Sequence, residues 1–298
     1  MRYQRTIKRI VSTKGVGLHS GGEVNMKIVP APEDTGVVFI RRDIGCKGMS
    51  ANISSVVDTR LSTNLRSNGI EVKTVEHLLA SLSGLGLDNI YVELDGPEVP
   101  IMDGSALLFI DMIIEAGIEI QSKKIPYLKI TKPIIIKNGS SHIGIFPYEG
   151  RRVSCSIQYD HPMLGFQSMG IDITEENFVQ EIAPAKTFGF LKDVEMMRAN
   201  GLAIGGSLEN AIVLDEDGII NTNMVTFTDE FVRHKILDIM GDLSIVGIPI
   251  YGHIVADRPG HSANIRLVEE IYRNMDSWEI LTEPEREKEY SLFKLLNV

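Results

Sequence analysis

The chain has 298 residues, 43% of them hydrophobic, and a formal net charge of −10. This composition predicts a globular protein with a sizeable core in one large or two mid-sized domains. The negative charge argues against non-specific binding to nucleic acid or to an anionic membrane surface. The two cysteines lie in unrelated contexts, which excludes a CxxC metal site and a disulfide framework and favours a reducing compartment.

Targeting signals are not evident in the sequence. Residues 1–15 are basic but contain no apolar core of signal-peptide length, and no window reaches about 18 uninterrupted apolar residues. We therefore expect a cytoplasmic protein that does not span a membrane. The charged residues 283–289 are interpreted as a solvated helix or tail.

Hydrophobic periodicity in the first half predicts strands followed by alternating helices and strands. The predicted strands are 6–11, 23–29, 36–41 and 89–94, and the predicted helices are 75–85 and 105–116. The glycine-rich residues 15–22 lack the Gly-Lys-Ser/Thr ending of a phosphate-binding loop, so we interpret them as a hairpin.

The second half of the chain is also predicted to contain both strands and helices. Strands are predicted at 127–136, 141–146, 153–159 and 250–256, and helices at 231–243 and 263–275. Strands followed by helices in each half indicate an α+β fold.

The two halves also share a spacing of motifs. Val75-Glu76-His77 and Val232-Arg233-His234 each open a predicted helix, and each precedes a Ser-Ala pair that opens a second one. Ser105 follows His77 by 28 residues, and Ser262 follows His234 by 28. The shared register suggests an internal duplication, which would place the two histidines at equivalent points of similar lobes.

The helix predicted from residue 231 has two distinct faces. His234, Asp238 and Asp242 recur at i, i+4 and i+8, opposite an apolar stripe. Neighbours at this spacing have Cβ atoms about 5–6 Å apart, which lets an imidazole nitrogen and a carboxylate oxygen bind one divalent ion. A solvated helix face with a His–Asp pair is the alternative interpretation.

The helix predicted at 75–85 carries an adjacent acid and imidazole outside its apolar stripe. Glu76 and His77 would suit a general base beside a metal ligand, because the glutamate of a zinc hydrolase reaches the attacking water without binding the metal. An exposed polar pair at a helix start is the alternative. HExxH is absent from the sequence, so this is not a thermolysin-type site.

Two further segments carry candidate functional groups. His261 follows the turn predicted by Pro259 and Gly260 and precedes a helix, a place that suits a general acid or base. In residues 186–190, Thr187 lies between a lysine and the aromatics Phe188 and Phe190. This arrangement favours a substrate-binding surface, or the two aromatic side chains simply line one face of a strand.

Taken in order, these segments resemble one enzyme family. The motifs are residues 17–21 (GLHSG), 74–78 (TVEHL), 87–90 (LDNI), 100–106 (PIMDGSA), 186–190 (KTFGF), 231–243 (FVRHKILDIMGDL) and 260–264 (GHSAN). From about residue 5 to residue 270 the chain is similar to the UDP-3-O-acyl-N-acetylglucosamine deacetylases of lipid A synthesis. Residues 61–65 carry no cysteine where some members have one near the metal, which leaves the expected ligand set unchanged.

The resemblance implies two similar α+β domains, residues 1–125 and 126–298, whose sheets sandwich the helices in β-α-α-β order. It also implies a β-α-β insert in the second domain, at about 191–223. Leu202, Ala203, Ile204, Ile212 and Val213 are candidates to line a hydrophobic passage there, or they form ordinary local core.

The resemblance further implies a zinc amidohydrolase with one catalytic Zn²⁺. His77, His234 and Asp238 would be the ligands. Glu76 would be the general base on the attacking water and His261 the general acid for the departing amine. Asp242 would orient His261, and Thr187 would help hold the tetrahedral oxyanion.

The expected substrate is a UDP-linked, acylated amino sugar. Lys235 would contact its phosphates, and Leu18, Phe188 and Phe190 are further candidate substrate contacts. We expect a monomer that contacts the membrane surface only transiently, and the family suggests residues 292–298 as a target of regulated proteolysis.

Two other classes of function remain open on the residues alone. Two histidines and one carboxylate also form the facial triad of non-haem iron oxygenases, so Fe²⁺ is an alternative to Zn²⁺. An oxygenase would not need Glu76 and His261. In a binding protein the metal would only join two lobes, and its removal would first cost folding stability.

Overall fold

The computed structural model describes residues 2–282. The predictions for residues 283–289 and 292–298 lie outside the described residues. Within residues 2–282, no helix combines the length and the apolar composition needed to cross a bilayer.

The first half builds one main sheet with short strands and helices added to it. Its elements are Tyr3–Ile7 (β1), Val11–Val16 (β2), Glu23–Pro30 (β3), Val37–Arg41 (β4), Lys47–Ser50 (β5), Val56–Asp58 (β6), Asn64–Ser67 (β7), Ile70–Val72 (β8), Glu76–Gly84 (α1), Ile90–Leu94 (β9), Leu107–Ala116 (α2) and Ile118–Lys124 (β10). The main sheet has the order β2-β3-β9-β4-β5, while β1 pairs with β10 and β6-β7-β8 form a small sheet.

The second half builds a larger sheet. Its elements are Tyr127–Ile130 (β11), Ile134–Asn138 (β12), Ser141–Phe146 (β13), Arg151–Gln158 (β14), Phe166–Asp172 (β15), Glu175–Asn177 (α3), Phe188–Phe190 (β16), Leu191–Ala199 (α4), Ile212–Leu214 (β17), Glu230–Leu243 (α5), Ile250–Asp257 (β18), His261–Arg273 (α6) and Trp278–Leu281 (β19). Successive pairings give the order β12-β13-β18-β14-β15, with β11 and β19 continuing from β18.

The two halves repeat the same topology. In each main sheet, the strand that follows the central helix (α1 or α5) in the chain lies between two earlier strands. β9 pairs antiparallel with β3 and parallel with β4, and β18 likewise pairs antiparallel with β13 and parallel with β14. The antiparallel pair β1–β10 has its counterpart in β11–β19. This agreement confirms the prediction of two similar α+β halves, whereas the boundary between residues 125 and 126 stays a prediction.

The helices lie between the sheets. α2 packs on β2, α5 packs on β14 and β15, and α6 packs on β12 and β13. α1 packs directly against α5, so the two halves meet through these helices. The buried side chains of the helices and of both sheets join in one hydrophobic cluster.

Each half carries an extra unit at the same point of its topology, between its fifth strand (β5 or β15) and its central helix (α1 or α5). In the first half this unit is β6-β7-β8, and in the second half it is β16-α4-β17 with its two strands parallel. The second unit is the predicted β-α-β insert, but it begins at Phe188 rather than at residue 191.

Two predicted strands are wrong in extent. The strand predicted at 6–11 is two strands, because β1 pairs with β10 and β2 pairs with β3, and residues 8–10 between them are exposed. The strand predicted at 127–136 is interrupted before Ile134, where Pro133 has no backbone N–H to donate to a neighbouring strand. The hairpin predicted at residues 15–22 is confirmed by the antiparallel β2–β3 pair.

The contact between α1 and α5 is close because α5 has a glycine where the helices meet. A methyl group at Gly241 would lie 2.1 Å from the carbonyl oxygen of Glu76, well inside van der Waals contact. The backbone of α1 therefore occupies the space that any other residue at this position would need.

We expect Gly241→Ala to lower the free energy of unfolding by about 1–3 kcal/mol, because overpacking would force the two helices apart. Urea unfolding followed by circular dichroism measures this change. Gly218→Ala is the matched control, since a Cβ there meets no heavy atom within 4 Å. Equal stability of the two variants would show that the helix contact accommodates a methyl group.

Candidate metal centre and active site

The helix contact brings the two equivalent histidines together. His77 lies in the first turn of α1 and His234 in the second turn of α5. Their ring centroids are 4.9 Å apart and their planes are nearly perpendicular. The two histidines that were predicted to lie at equivalent points of similar lobes therefore meet in one site.

Asp238 completes a group of three candidate metal ligands. Its Oδ1 lies 3.5 Å from Nε2 of His234 and 3.8 Å from Nε2 of His77. A tetrahedral ion with bonds of about 2 Å separates its ligand atoms by roughly 3.3 Å, so small adjustments would let all three bind one ion. Within residues 2–282 this is the one group of at least three such side chains with ligand atoms this close together.

These side chains are buried, which excludes the solvated-face interpretation of α5. His77, His234 and Asp238 expose 5%, 2% and 3% of their surfaces. The Nδ1 atom of His234 donates to the carbonyl oxygen of Ala185 at 3.1 Å, an arrangement that leaves the Nε2 lone pair directed towards Asp238. Nδ1 of His77 is buried without a hydrogen-bond partner among the described residues.

The local electrostatics favour protonation states that can bind a cation. Burial lowers the pKa of His77 to about 3, and His234 contributes to this shift. Burial also lowers the pKa of His234. Burial alone would raise the pKa of Asp238, but Lys235 and the histidines outweigh it and lower that pKa. Two neutral imidazoles therefore face one carboxylate at neutral pH.

Lys235 lies at the edge of this group. Its Nζ donates to Oδ2 of Asp238 at 2.9 Å, while Oδ1 faces the histidines. Burial alone would lower the pKa of Lys235, but the Asp238 carboxylate outweighs it and raises that pKa. The ammonium also lies 5.6 Å from the ring centroid of Phe188. The predicted phosphate contact is thus a cation already paired with one oxygen of a candidate ligand.

Glu76 lies beside the candidate ligands and is 3% exposed, which excludes an exposed polar pair at the start of α1. Its Oε2 accepts a hydrogen bond from the backbone N–H of Thr63 at 3.0 Å, and its Oε1 lies 4.0 Å from Nε2 of His261. Burial raises the pKa of Glu76 to about 8, with His261 opposing the shift and Asp242 adding to it. Such a pKa suits a group that exchanges a proton near neutral pH.

His261 and Asp242 form a second buried pair. Nδ1 of His261 donates to Oδ2 of Asp242 at 2.9 Å, and Asn264 donates to the same oxygen at 2.8 Å. Thr63 donates its hydroxyl to Oδ1 at 2.5 Å. Burial opposes the imidazolium, but the Asp242 carboxylate outweighs it and raises the pKa of His261 to about 10. His261 is therefore protonated at neutral pH, with Nε2–H turned towards Glu76.

Thr187 is held beside the centre by contacts of its backbone. Its N–H donates to the carbonyl of Gly104 at 2.9 Å, and its carbonyl accepts from the N–H of Ile212 at 2.8 Å. Glu230, fully buried at the start of α5, accepts from the N–H of the preceding Lys186 at 2.7 Å. The loop before β16 is thus tied to the helix that carries His234.

Two cavities that share part of their lining lie at and beside this centre. The larger, of 1020 Å³, is polar in part and is lined by Glu76, the three candidate ligands, His261, Lys235, Thr187 and Phe190. The second, of 430 Å³, is mainly apolar and lies against the insert. Leu18, Thr187 and Phe188 line both cavities. Asp242 lines neither, because it lies behind His261 with no exposed surface.

The insert residues predicted to line a passage divide into two groups. Ala203 and Val213 line the apolar cavity, and Leu202 lines the larger one. Ile204 and Ile212 line neither cavity, and for Ile212 the alternative interpretation as local core is correct. Ile204 is half exposed and packs on Gly21, whereas Ile212 is fully buried in the core.

Three residues that the sequence did not single out also belong to the site. Thr63 and Asn264 bind Asp242, as described above. His19 lines both cavities, and its Nδ1 accepts from the N–H of Ala203 at 3.3 Å. Nε2 of His19 is buried without a partner among the described residues. Its glycine-rich surroundings predicted the hairpin correctly but gave no signal of the contact with the insert.

Comparison with known proteins assigns the sequence to a family. A sequence profile of the UDP-3-O-acyl N-acetylglycosamine deacetylases matches residues 4–273. Proteins named UDP-3-O-acyl-N-acetylglucosamine deacetylase are similar over nearly the whole chain. The one from Thermodesulfovibrio yellowstonii is 45% identical over 284 residues, covering 95% of this chain and 96% of the relative. The one from Syntrophotalea carbinolica is 44% identical over 296 residues, covering 98% and 95%. The one from Myxococcus xanthus is 46% identical over 287 residues, covering 96% and 91%. Since the profile and these relatives cover both halves and every candidate ligand, the chain belongs to the UDP-3-O-acyl N-acetylglycosamine deacetylase family.

Proposed function

We propose that the protein hydrolyses the acetamide of UDP-3-O-acyl-N-acetylglucosamine to acetate and UDP-3-O-acyl-glucosamine, the committed step of lipid A synthesis. Family membership supports the reaction class. The observation that carries the proposal is the buried group of two neutral histidines and one carboxylate, with Glu76 and protonated His261 beside it and 4.0 Å from each other.

His77, His234 and Asp238 would hold one Zn²⁺. When bound, zinc would polarise the amide carbonyl and lower the pKa of water, which is the chemistry of catalytic sites with three protein ligands and an open position. Fe²⁺ suits the same donors, so the ligand set alone does not select the metal.

Glu76 would act as the general base. The Thr63 N–H holds Oε2, which leaves Oε1 as the acceptor facing the larger cavity and His261. During hydrolysis Glu76 would take a proton from the water as the water oxygen forms a bond to the acetamide carbon. The buried carboxylate would then carry a proton close to the position of His261.

His261 would act as the general acid. Its Nε2–H would donate a proton to the amide nitrogen as the carbon–nitrogen bond breaks, because an amine leaves far more readily once protonated. Asp242 would orient the ring through Nδ1 and stabilise its charge. Thr187 would donate its hydroxyl to the oxyanion that develops on the carbonyl oxygen.

Substrate binding would divide between the two cavities. We assign the acyl chain to the apolar cavity, where Leu18 and Phe188 stand at its junction with the larger one. Lys235 and Phe190 line only the larger cavity, which would hold the sugar and the diphosphate. An ammonium beside this cavity provides local positive charge in a chain of net charge −10.

We further propose that the enzyme works as a cytoplasmic monomer that contacts the membrane surface only transiently. An iron oxygenase and a metal-joined binding protein are less consistent with the site, because neither gives a role to Glu76 and His261. Both groups lie in the cavity without belonging to the ligand group.

The first test measures acetate release and metal content together. We expect Glu76→Ala to lower kcat by on the order of 10²- to 10⁴-fold with one metal ion still bound, because Glu76 is a base and not a ligand. His77→Ala should lose both the metal and the activity. Glu115→Ala, on the exposed side of α2, is the control. Wild-type protein that binds metal tightly but releases no acetate would refute the reaction assignment.

The identity of the metal has its own test. Protein purified without oxygen should contain one zinc ion by mass spectrometry. After treatment with a chelator, activity should disappear, and it should return with sub-stoichiometric zinc. Recovery with Fe²⁺ but not with Zn²⁺ would overturn the zinc assignment.

The pH dependence tests the pair of His261 and Asp242. A general acid must be protonated, so activity should fall as pH rises through the His261 pKa, which the Asp242 carboxylate raises to about 10. Asp242→Asn removes the charge that raises it, so the basic limb of the kcat/KM profile should move to lower pH. An unchanged basic limb would count against the pairing.

The acyl assignment predicts a selective defect. Ala211 lines the apolar cavity and not the larger one, so Ala211→Phe should reduce the volume available to the chain without touching the chemistry. We expect kcat/KM to fall at least about 10-fold for a long-chain substrate and to change little for a short-chain analogue. Equal losses on both substrates would remove the acyl chain from this cavity.

A further inference from the structure

Thr63 contacts both the candidate base, Glu76, and Asp242, the carboxylate that binds the candidate acid. It lies just before β7, in the extra unit of the first half, and has no exposed surface. Its backbone N–H donates to Oε2 of Glu76 at 3.0 Å, and its hydroxyl donates to Oδ1 of Asp242 at 2.5 Å. Its carbonyl accepts from the N–H of Val75 at 3.2 Å, at the start of α1.

The segment around Thr63 is itself fixed. The side-chain oxygen of Asn64 accepts from the hydroxyl of Ser62 and from the N–H of Thr74, both at 3.1 Å. Thr74 in turn donates its hydroxyl to buried Glu98 at 2.8 Å. Thr63 is therefore held on both sides along the chain, so its donors point at fixed positions.

Asp242 depends on Thr63 for one of its two oxygens. Oδ2 accepts from His261 and Asn264, which both belong to α6. Oδ1 accepts from Thr63, the one donor to this atom within residues 2–282. Because Asp242 has no exposed surface, solvent cannot readily replace a lost donor. Donors on both oxygens fix the carboxylate plane and with it the direction of the bond to His261.

We propose that Thr63 is a positioning residue that sets Glu76 and the Asp242–His261 pair in one geometry across the contact between the two halves. Its backbone N–H holds the base, Glu76. Its side-chain hydroxyl, only a few bonds away, holds Asp242, the carboxylate that orients the acid. This inference rests on the deacetylase function proposed above, and it adds a residue of the β6-β7-β8 unit to that site.

Thr63→Val tests the hydroxyl alone, because valine keeps the shape and the backbone N–H that binds Glu76. We expect kcat for acetate release to fall about 10- to 100-fold, as for a lost hydrogen bond to a charged group. KM should change by less than about 2-fold and the metal content should stay the same. Thr63→Ser should restore most of the rate, because it restores the donor.

Thr6→Val is the matched control. Thr6 is also buried in the first half, and its hydroxyl donates to the carbonyl of Asn89 at 2.7 Å, away from the site. This variant should lose stability without losing kcat. A loss of kcat in Thr63→Val no larger than in Thr6→Val would overturn the proposal.

A double-mutant cycle separates positioning from general damage. If Thr63 acts through Asp242, Thr63→Val should cost less than about 3-fold in an Asp242→Asn background, so that the two losses are not additive. Additive losses would overturn the inference while leaving the deacetylase function intact. Wild-type protein that releases no acetate would instead refute the deacetylase function itself.

Discussion

The site depends on how closely α1 and α5 approach each other. Gly241 leaves room for the backbone of Glu76, and this contact sets the separation and the register of the two helices. With that register the rings of His77 and His234 meet at 4.9 Å. One turn beyond His234, Asp238 reaches both rings, and one turn further Asp242 reaches α6. A small shift between the helices would therefore disturb the candidate ligands together with Glu76 and Asp242, because all of these side chains project from the same two helices.

Burial then gives these groups their different protonation states. It keeps His77 and His234 neutral, while the carboxylates beside Lys235 and His261 keep those two groups charged. The pairs Lys235–Asp238 and His261–Asp242 each balance their own charges. Glu76 has no cation in direct contact among the described residues, since His261 is 4.0 Å away, and burial raises its pKa to about 8. A divalent cation bound beside it would favour the ionised carboxylate, so the charges around Glu76 suit a bound metal.

Much of the site was predictable from the sequence because helices give a regular spacing. The sequence pattern showed the i, i+4, i+8 spacing of ionisable residues on α5 and the Glu76-His77 pair at the start of α1. The 28-residue spacing shared by the two halves predicted the repeated topology. The sequence could not show that these faces are buried, because the elements that cover them come from distant parts of the chain. It also missed Thr63, Asn264 and His19, which act through contacts and not through spacing. The short strands β6, β7 and β8 have three or four residues each, too few for alternation to be recognised.

The two similar halves differ in a way that separates the candidate ligands from the apolar cavity. In the shared register, Ser81 of α1 corresponds to Asp238 of α5. Leu85, just after the end of α1, corresponds to Asp242. The carboxylates of Asp238 and Asp242 therefore have no counterpart on α1 and belong to α5, which is buried along most of its length. By contrast, α4 of the insert has no buried residue, and the loop that follows it binds the turn around His19 through two backbone hydrogen bonds, from Ile204 to His19 and from Gly205 to Leu18. Substitutions on α4 can reshape the apolar cavity at little cost to the core, whereas a change on α5 alters the core and the candidate ligands at once.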